Sequence, residues 1–140
     1  MKQAPKILTA SEPDFNLIGV ASHENDYRLA WAINSSLNIA LAKSDDIVVF
    51  HDKYKHDISL SYYTQEFPDQ GYLIKLFANR GDNFFLLEEY KNIDFFIKLE
   101  GESSANKLTG LMNALKNIDI IMGVYLIDLK KIKKIQRINF

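Results

Sequence analysis

The sequence predicts an α+β domain: an antiparallel or mixed β-sheet with two helices on one face. Three observations predict it. Two stretches carry apolar residues at helical spacing, several short stretches around them alternate with period two, and most connections between those are short and polar, as in hairpins. The 140 residues are 47% hydrophobic and 25% charged with a net charge of −1, which excludes a disordered or collagen-like chain. No Pro-rich or Ser/Gly-rich linker and no repeat period interrupts the chain, so it reads as one domain, 1–140, ending in a basic tail, 129–140.

In chain order, Ser11-Glu12-Pro13-Asp14 reads as a turn, and Phe15 to Ala21, apolar on both alternating sets, reads as a central strand. Ser22 is then expected to cap a helix over 24–38, with Glu24 and Asp26 at its positive end. Leu29, Ala30, Ile33 and Leu37 form its apolar stripe, widened by Tyr27 and Trp31. Ile47–Phe50 and Ile58–Thr64 are strands around a bend at 51–56. Tyr72–Phe77 and Phe84–Leu87 form a second hairpin around 79–83, with Gly81 at an expected positive φ. Ile93 to Leu99 alternates as a fifth strand between the helices. Gly101-Glu102-Ser103-Ser104 opens a second helix with Ala105, Leu108, Leu111, Met112 and Leu115 on one face. Ile118 to Ile127, apolar on both sets, closes the sheet as a doubly covered strand. This order suggests a ferredoxin-like or ACT-like architecture.

Two helices cover one face only. Ile18, Val20, Tyr63, Phe96, Ile121, Tyr125 and Ile127 have the opposite parity to the helix-facing sets, so the expectation is a homodimer that packs sheet to sheet. The alternative cover is the N-terminal segment or the region from Tyr54 to Gly71.

Several chemistries are excluded or weakened by residue type and spacing. The chain has no cysteine, hence no disulfide, thiolate metal site or cysteine nucleophile. It has no apolar run of the roughly 20 residues a spanning helix needs and no export signal, which gives an expectation of cytoplasmic location without membrane attachment. His51 and His56 face each other across a bend beside Asp57. A polar hairpin end explains them better than a metal site, so no metal or cofactor is expected. Ser22-His23 lacks a nucleophile-elbow context, and no glycine-rich phosphate loop occurs. Asp45-Asp46 and Glu88-Glu89 read as solvated loop pairs. After Asp128 come five basic residues and no acid, while residues 1–128 hold 12 basic and 18 acidic groups. Leu129, Ile132, Ile135 and Ile138 recur every third residue there, so the tail reads as a short helix or turn tucked onto the domain. Nucleic acid is the lesser reading, and the acidic body of a neighbouring subunit an equal possibility.

Leu87-Glu88-Glu89-Tyr90-Lys91-Asn92-Ile93-Asp94-Phe95 resembles the signature of a small bacterial family named after its IPExxxVDY motif, with Glu89 and Asp94 in the acidic positions. Phe15 to Ser22 and Asp26 to Asn34 are similar to that family's first strand and helix. Leu87, Glu88, Ile93 and Phe95 depart from the motif, and the missing proline at 88 removes a fixed φ from the turn. The resemblance implies a small cytoplasmic protein and carries no activity over to this chain.

The expected function is therefore a non-catalytic, homodimeric interaction or assembly module. The alternative is an ACT-like regulatory domain with a small metabolite near Asp26, Tyr27 and Arg28, where Arg28 pairs with an anion at the helix N-terminus. Glu89 is expected to satisfy backbone donors of its turn, and Asp94 to pair with Arg28 or with a partner subunit. A metal-dependent enzyme would require His51, His56 and Asp57 to converge.

Overall fold

The computed structural model describes residues 15–140, so the turn expected at Ser11–Asp14 lies outside the described residues. The elements are β1 (Phe15–Ala21), α1 (Asp26–Leu37), β2 (Ala42–His51), β3 (His56–Phe67), β4 (Tyr72–Ala78), β5 (Phe95–Glu100), α2 (Ser104–Lys116) and β6 (Gly123–Leu126). They build a six-stranded, fully antiparallel sheet in the order β2-β3-β4-β5-β1-β6. The fold class is α+β, as the alternation of patterns predicts. β4 runs parallel to β1 with β5 between them, and β6 runs parallel to β5 with β1 between them. Helix α2 makes the crossover from β5 to β6, and α1 with the β2–β3 hairpin makes the one from β1 to β4. The β2–β3 hairpin extends the sheet on the far side.

Local chemistry sets the helix ends. Asn25 has the extended backbone of an N-cap (φ −79°, ψ 172°), and its side chain accepts the Arg28 N–H at 3.1 Å. Asn38, left-handed at φ 56°, stops the helix. The cap is thus Asn25 and not Ser22, which is buried with its hydroxyl donating to the Ile120 carbonyl at 2.7 Å. Leu29, Ala30 and Ile33 enter the core as expected, whereas Tyr27 and Trp31 stand in solvent. Other expectations shift for topological reasons. Between the helices there are four strands, because Phe84–Leu87 bonds the sheet only through the Arg80–Phe85 bridge and then passes beneath it. Residues 118–122 are turn and coil, closed by Ile121 N–H to Ile118 O, since the chain must first return from α2 to the sheet edge. Gly81 does not have a positive φ; a Cβ there would lie 2.0 Å from the Phe84 ring, so close approach is what requires glycine.

The sheet separates two cores. On the helix side Ile18, Val20, Ile74, Leu76, Ile97 and Leu99 meet Leu29, Ile33, Leu115 and Ile121. On the other side Leu17, Ile58, Leu60, Phe77 and Phe96 meet Leu86, Leu87 and Ile93 of the loop before β5, Ile127 just after β6, and Ile132 and Ile138 of the tail. The expected parity is thereby corrected: Ile18, Val20, Tyr63 and Ile121 belong to the helix side, and only Phe96 and Ile127 of that set are covered on the other. The Tyr54–Gly71 region is part of the sheet and does not cover it, and the N-terminal segment before Phe15 lies outside the described residues. The chain's own loop 79–94 and tail provide the cover.

Charge pins the tail in place. Lys98 of β5, 2% exposed, donates to the carbonyls of Ile138 and Phe140 at 2.8 Å each. It sits directly opposite Lys75, which also bonds Phe140 at 2.7 Å, and Glu100 lies 3.1 Å from both ammonium groups. Burial pushes the Lys98 pKa down, and Glu100 only partly offsets this. Arg137, 3% exposed, bonds Leu86 O, the Glu88 carboxylate and Asp52, while Lys134 reaches Asp52 at 2.8 Å. Glu88 is therefore a half-buried ion-pair partner, not a solvated loop residue. Asp45-Asp46 is indeed exposed, but it forms a bulge within edge strand β2. Two of the tail's five basic residues, Lys134 and Arg137, are thus paired within the chain, while among the described residues Lys130, Lys131 and Lys133 have no carboxylate within 4.0 Å.

Lys134 first and Arg137 second hold the Asp52 carboxyl well below the usual carboxylate range. Burial would raise Glu88, yet the Arg137 bonds outweigh it and lower that pKa as well. Carboxyls depressed on folding contribute stability above their unfolded values of about 4, and this is lost as pH falls through the folded values. Urea midpoints should thus fall below about pH 4, and fall less steeply in the Asp52→Asn/Glu88→Gln double variant. Equal slopes would show that the tail is not held by these charges. Independently, Ile138→Ala is expected to cost about 2–5 kcal/mol in urea unfolding, because the side chain is fully buried.

Candidate functional site

An open cleft of about 630 Å³ lies where β1 ends, α1 begins, β4 ends and β5 starts. Its wall is the Ser22–Asp26 connection, and opposite stand Ala78, Arg80, Asp82, Asp94 and Phe95. Asp94 organises it. Its Oδ2 accepts the Ser22 N–H at 2.9 Å, its Oδ1 takes the Arg80 guanidinium, and its backbone N–H donates to Val20 O at 2.9 Å. Asp94 therefore ties the end of β1 to the segment after β4, and its partner is Arg80 rather than Arg28. The alternation that groups Ile93 with Phe95 and Ile97 also breaks here, since Ile93 packs on the tail side and the other two on the helix side.

Sequence reasoning missed Asn79, which holds this corner from within. It is fully buried; its Nδ2 donates to Tyr90 O and Ile93 O, and its Oδ1 accepts the Leu87 N–H. Asparagine in a short polar stretch looks like a turn residue, and only the depth of the loop it braces distinguishes it. Arg80 was equally hidden, because nothing local pairs it with a residue fourteen positions on.

The expected site residues separate into three places. Asp26 and Asp94 line the cleft. Tyr27 and Arg28 lie with Trp31 around a shallow hollow on the outer face of α1. Glu89 lies elsewhere, where its Oε2 accepts the Lys133 N–H at 3.0 Å, so it satisfies a backbone donor of the tail and not of its own turn. Arg28 Nε is 3.1 Å from Glu24, and the first-turn N–H groups of Tyr27 and Arg28 already donate to Asp26 and Asn25. With Glu24, Asp26, Asp82 and Asp94 around it and Arg80 committed to Asp94, the cleft is acidic. Arg28, with its Nε paired to Glu24, lies on the outer face of α1 and does not line this cleft.

Catalytic constellations do not assemble from the expected groups. The Ser22 hydroxyl is buried against Ile120 O. His51 and His56 are register partners, as the bend predicts, but His51 is buried with Nε2 2.9 Å from Phe85 O and 3.2 Å from Glu88, while His56 bonds Asp57 O. Among the described residues no three His, Cys, Asp or Glu side chains group to hold a metal ion. No described helix is long and apolar enough to cross a membrane. Compared with protein-family models, curated proteins and solved structures, the chain finds no match in any of the three.

Large apolar side chains stand exposed on α1, on β2 and around β6, the last being Met122, Tyr125 and Leu126. Tyr27 is 61% and Trp31 70% exposed, one turn apart on α1 with Arg28 between. On β2, Val48 and Phe50 are exposed, and they alternate with Val49 and His51 of the tail side, so they lie on the same side of the sheet as α1. The cleft's anchoring is open to test: Asp94→Ala is expected to cost about 1.5–3 kcal/mol in urea unfolding. Asp94→Asn, which keeps an acceptor for Ser22, should cost less. Identical costs would mean that the Arg80 pair, and not the backbone bond, ties the corner.

Proposed function

We propose that the chain is a non-catalytic interaction or assembly module that forms a homodimer in the cytoplasm through the side of the sheet that carries α1. One observation carries this reading: Trp31 and Tyr27 stand exposed at helical spacing around Arg28, the three residue types in which interface hot spots are richest. Val48 and Phe50 add apolar area on the same side. With the tail side covered by the chain itself, the contact surface moves from the sheet face first expected to the helix layer.

We also propose that the architecture is ferredoxin-like or ACT-like, with β2–β3 as an inserted hairpin. Removing that hairpin leaves the strand order β4-β5-β1-β6 and two crossovers of the split β-α-β kind, which supports the reading. Kinship with the IPExxxVDY family is part of the same proposal. It gains support from the use of both acidic motif positions as backbone acceptors, Asp94 for Ser22 and Glu89 for Lys133.

Trp31 is the single tryptophan, so it reports on its own surface. Its fluorescence should shift to the blue as protein concentration rises, together with a doubling of mass by native mass spectrometry. Tyr27→Lys should weaken self-association about 30-fold, the equivalent of a hot-spot loss of about 2 kcal/mol. A monomeric mass with unchanged red emission across the micromolar range would overturn the homodimer.

A further inference from the structure

Among the described residues the sheet is incompletely roofed between the two helices. Of the 13 residues of α2, only Ser104 and Leu115 are fully buried, and a groove of about 290 Å³ opens beside the helix. Its floor is Tyr72 and Ile74 of β4, and its apolar walls are Leu37 and Ile39 at the end of α1 and Leu111 on α2. At its mouth stands Lys107, whose ammonium lies 5.7 Å from the Tyr72 ring centroid. Among the described residues Lys107 has no carboxylate within 4.0 Å.

Gly110 supplies an independent observation. A glycine inside a helix is destabilising relative to alanine, and proteins keep one where a positive φ or a close neighbour demands it. Neither applies here. Gly110 does not have a positive φ, and a Cβ built on it meets nothing within 4 Å. The fold does not need this glycine; its visible effect is to keep one wall of the groove open.

We propose that this groove binds a small amphipathic carboxylate, its apolar body over Tyr72 and Ile74 and its head group on Lys107. The charge is what selects the class. An apolar slot with one uncompensated ammonium at its rim desolvates a hydrocarbon and pairs a monoanion, while a cation would meet Lys107 with like charge. The volume sits at the lower end of ligand pockets, about 300–1,000 Å³, which suits a short chain and not a full-length lipid.

Octanoate is the probe, with octylammonium as its charge-reversed control, and amide chemical shifts of the full chain are the readout. Octanoate should shift Ile74, Lys107 and Gly110 in the millimolar range and bind at least tenfold tighter than octylammonium. Gly110→Leu should melt at or above the parent temperature, because the added side chain meets open space, and weaken octanoate at least tenfold. Lys107→Gln should lose the preference for octanoate over octylammonium while both still bind weakly. Three results overturn the proposal: no shift with octanoate, equal binding of both probes by the parent chain, or undiminished binding by Gly110→Leu. A lowered melting temperature for Gly110→Leu would also overturn it, by showing that the space beside Gly110 is not open.

Discussion

A lysine ammonium buried in the middle of the sheet is the constraint on which the tail side of the molecule depends. Lys98 faces Lys75 directly across two strands, a like-charge pair that antiparallel sheets ordinarily avoid. Buried without partners, such an ion would be intolerable. Glu100 neutralises part of it, and the carbonyls of Ile138 and Phe140 supply the acceptors that remain, so the tail must lie where it lies. Phe140 then packs edge-on against Phe77, 4.9 Å between ring centroids, and its ring lies over both lysines. Hydrophobic burial of Ile132 and Ile138 drives the tail onto the sheet, but that force has no direction. The ammonium and guanidinium bonds fix the register.

The same logic runs through Arg137. Its guanidinium spans Leu86 O, Glu88 and Asp52, so one side chain joins the tail, the loop before β5 and the tip of the β2–β3 hairpin. That hairpin projects beyond the end of β4, whose last pairing with β3 is Phe77 opposite Tyr62. Without a bond at its tip it would be a two-stranded arm with one apolar face in water, a marginal structure. The fork geometry of arginine explains why lysine, present at Lys134, plays only the outer part.

Much of the fold was legible because it rests on periodicity. Leu29, Ala30 and Ile33 on the first helix and Ile97 and Leu99 on the strand before the second follow patterns that a local reading recovers. The tail's apolar residues at every third position correctly marked a short turn tucked onto the domain. The faces were misassigned because alternation gives the two sets of a strand without saying which is which. Ile18 and Leu17 are equally apolar, and only the tail's return resolves them. Glu89 and Asp94 stood out through the motif, and both do hold backbone N–H groups. Their partners, Lys133 and Ser22, lie 44 and 72 residues away and leave no local trace. The surface of α1 was misread for a simpler reason: an aromatic pair at helical spacing looks like core, and Tyr27 and Trp31 point outward.

The long reach of the tail contacts bears on how the molecule is made. Arg137 closes on Asp52 across 85 positions and Lys98 on Ile138 across 40, so the second core is closed by residues that are synthesised after every strand of the sheet. Until then β1 to β5 can pair and gather α1 and α2 on one side, while Leu17, Phe77 and Phe96 remain uncovered on the other. Loop closure over such separations is slow to repay its entropy. The tail side of the sheet is therefore the last apolar surface to gain its cover, and an uncovered sheet of this kind is aggregation-prone.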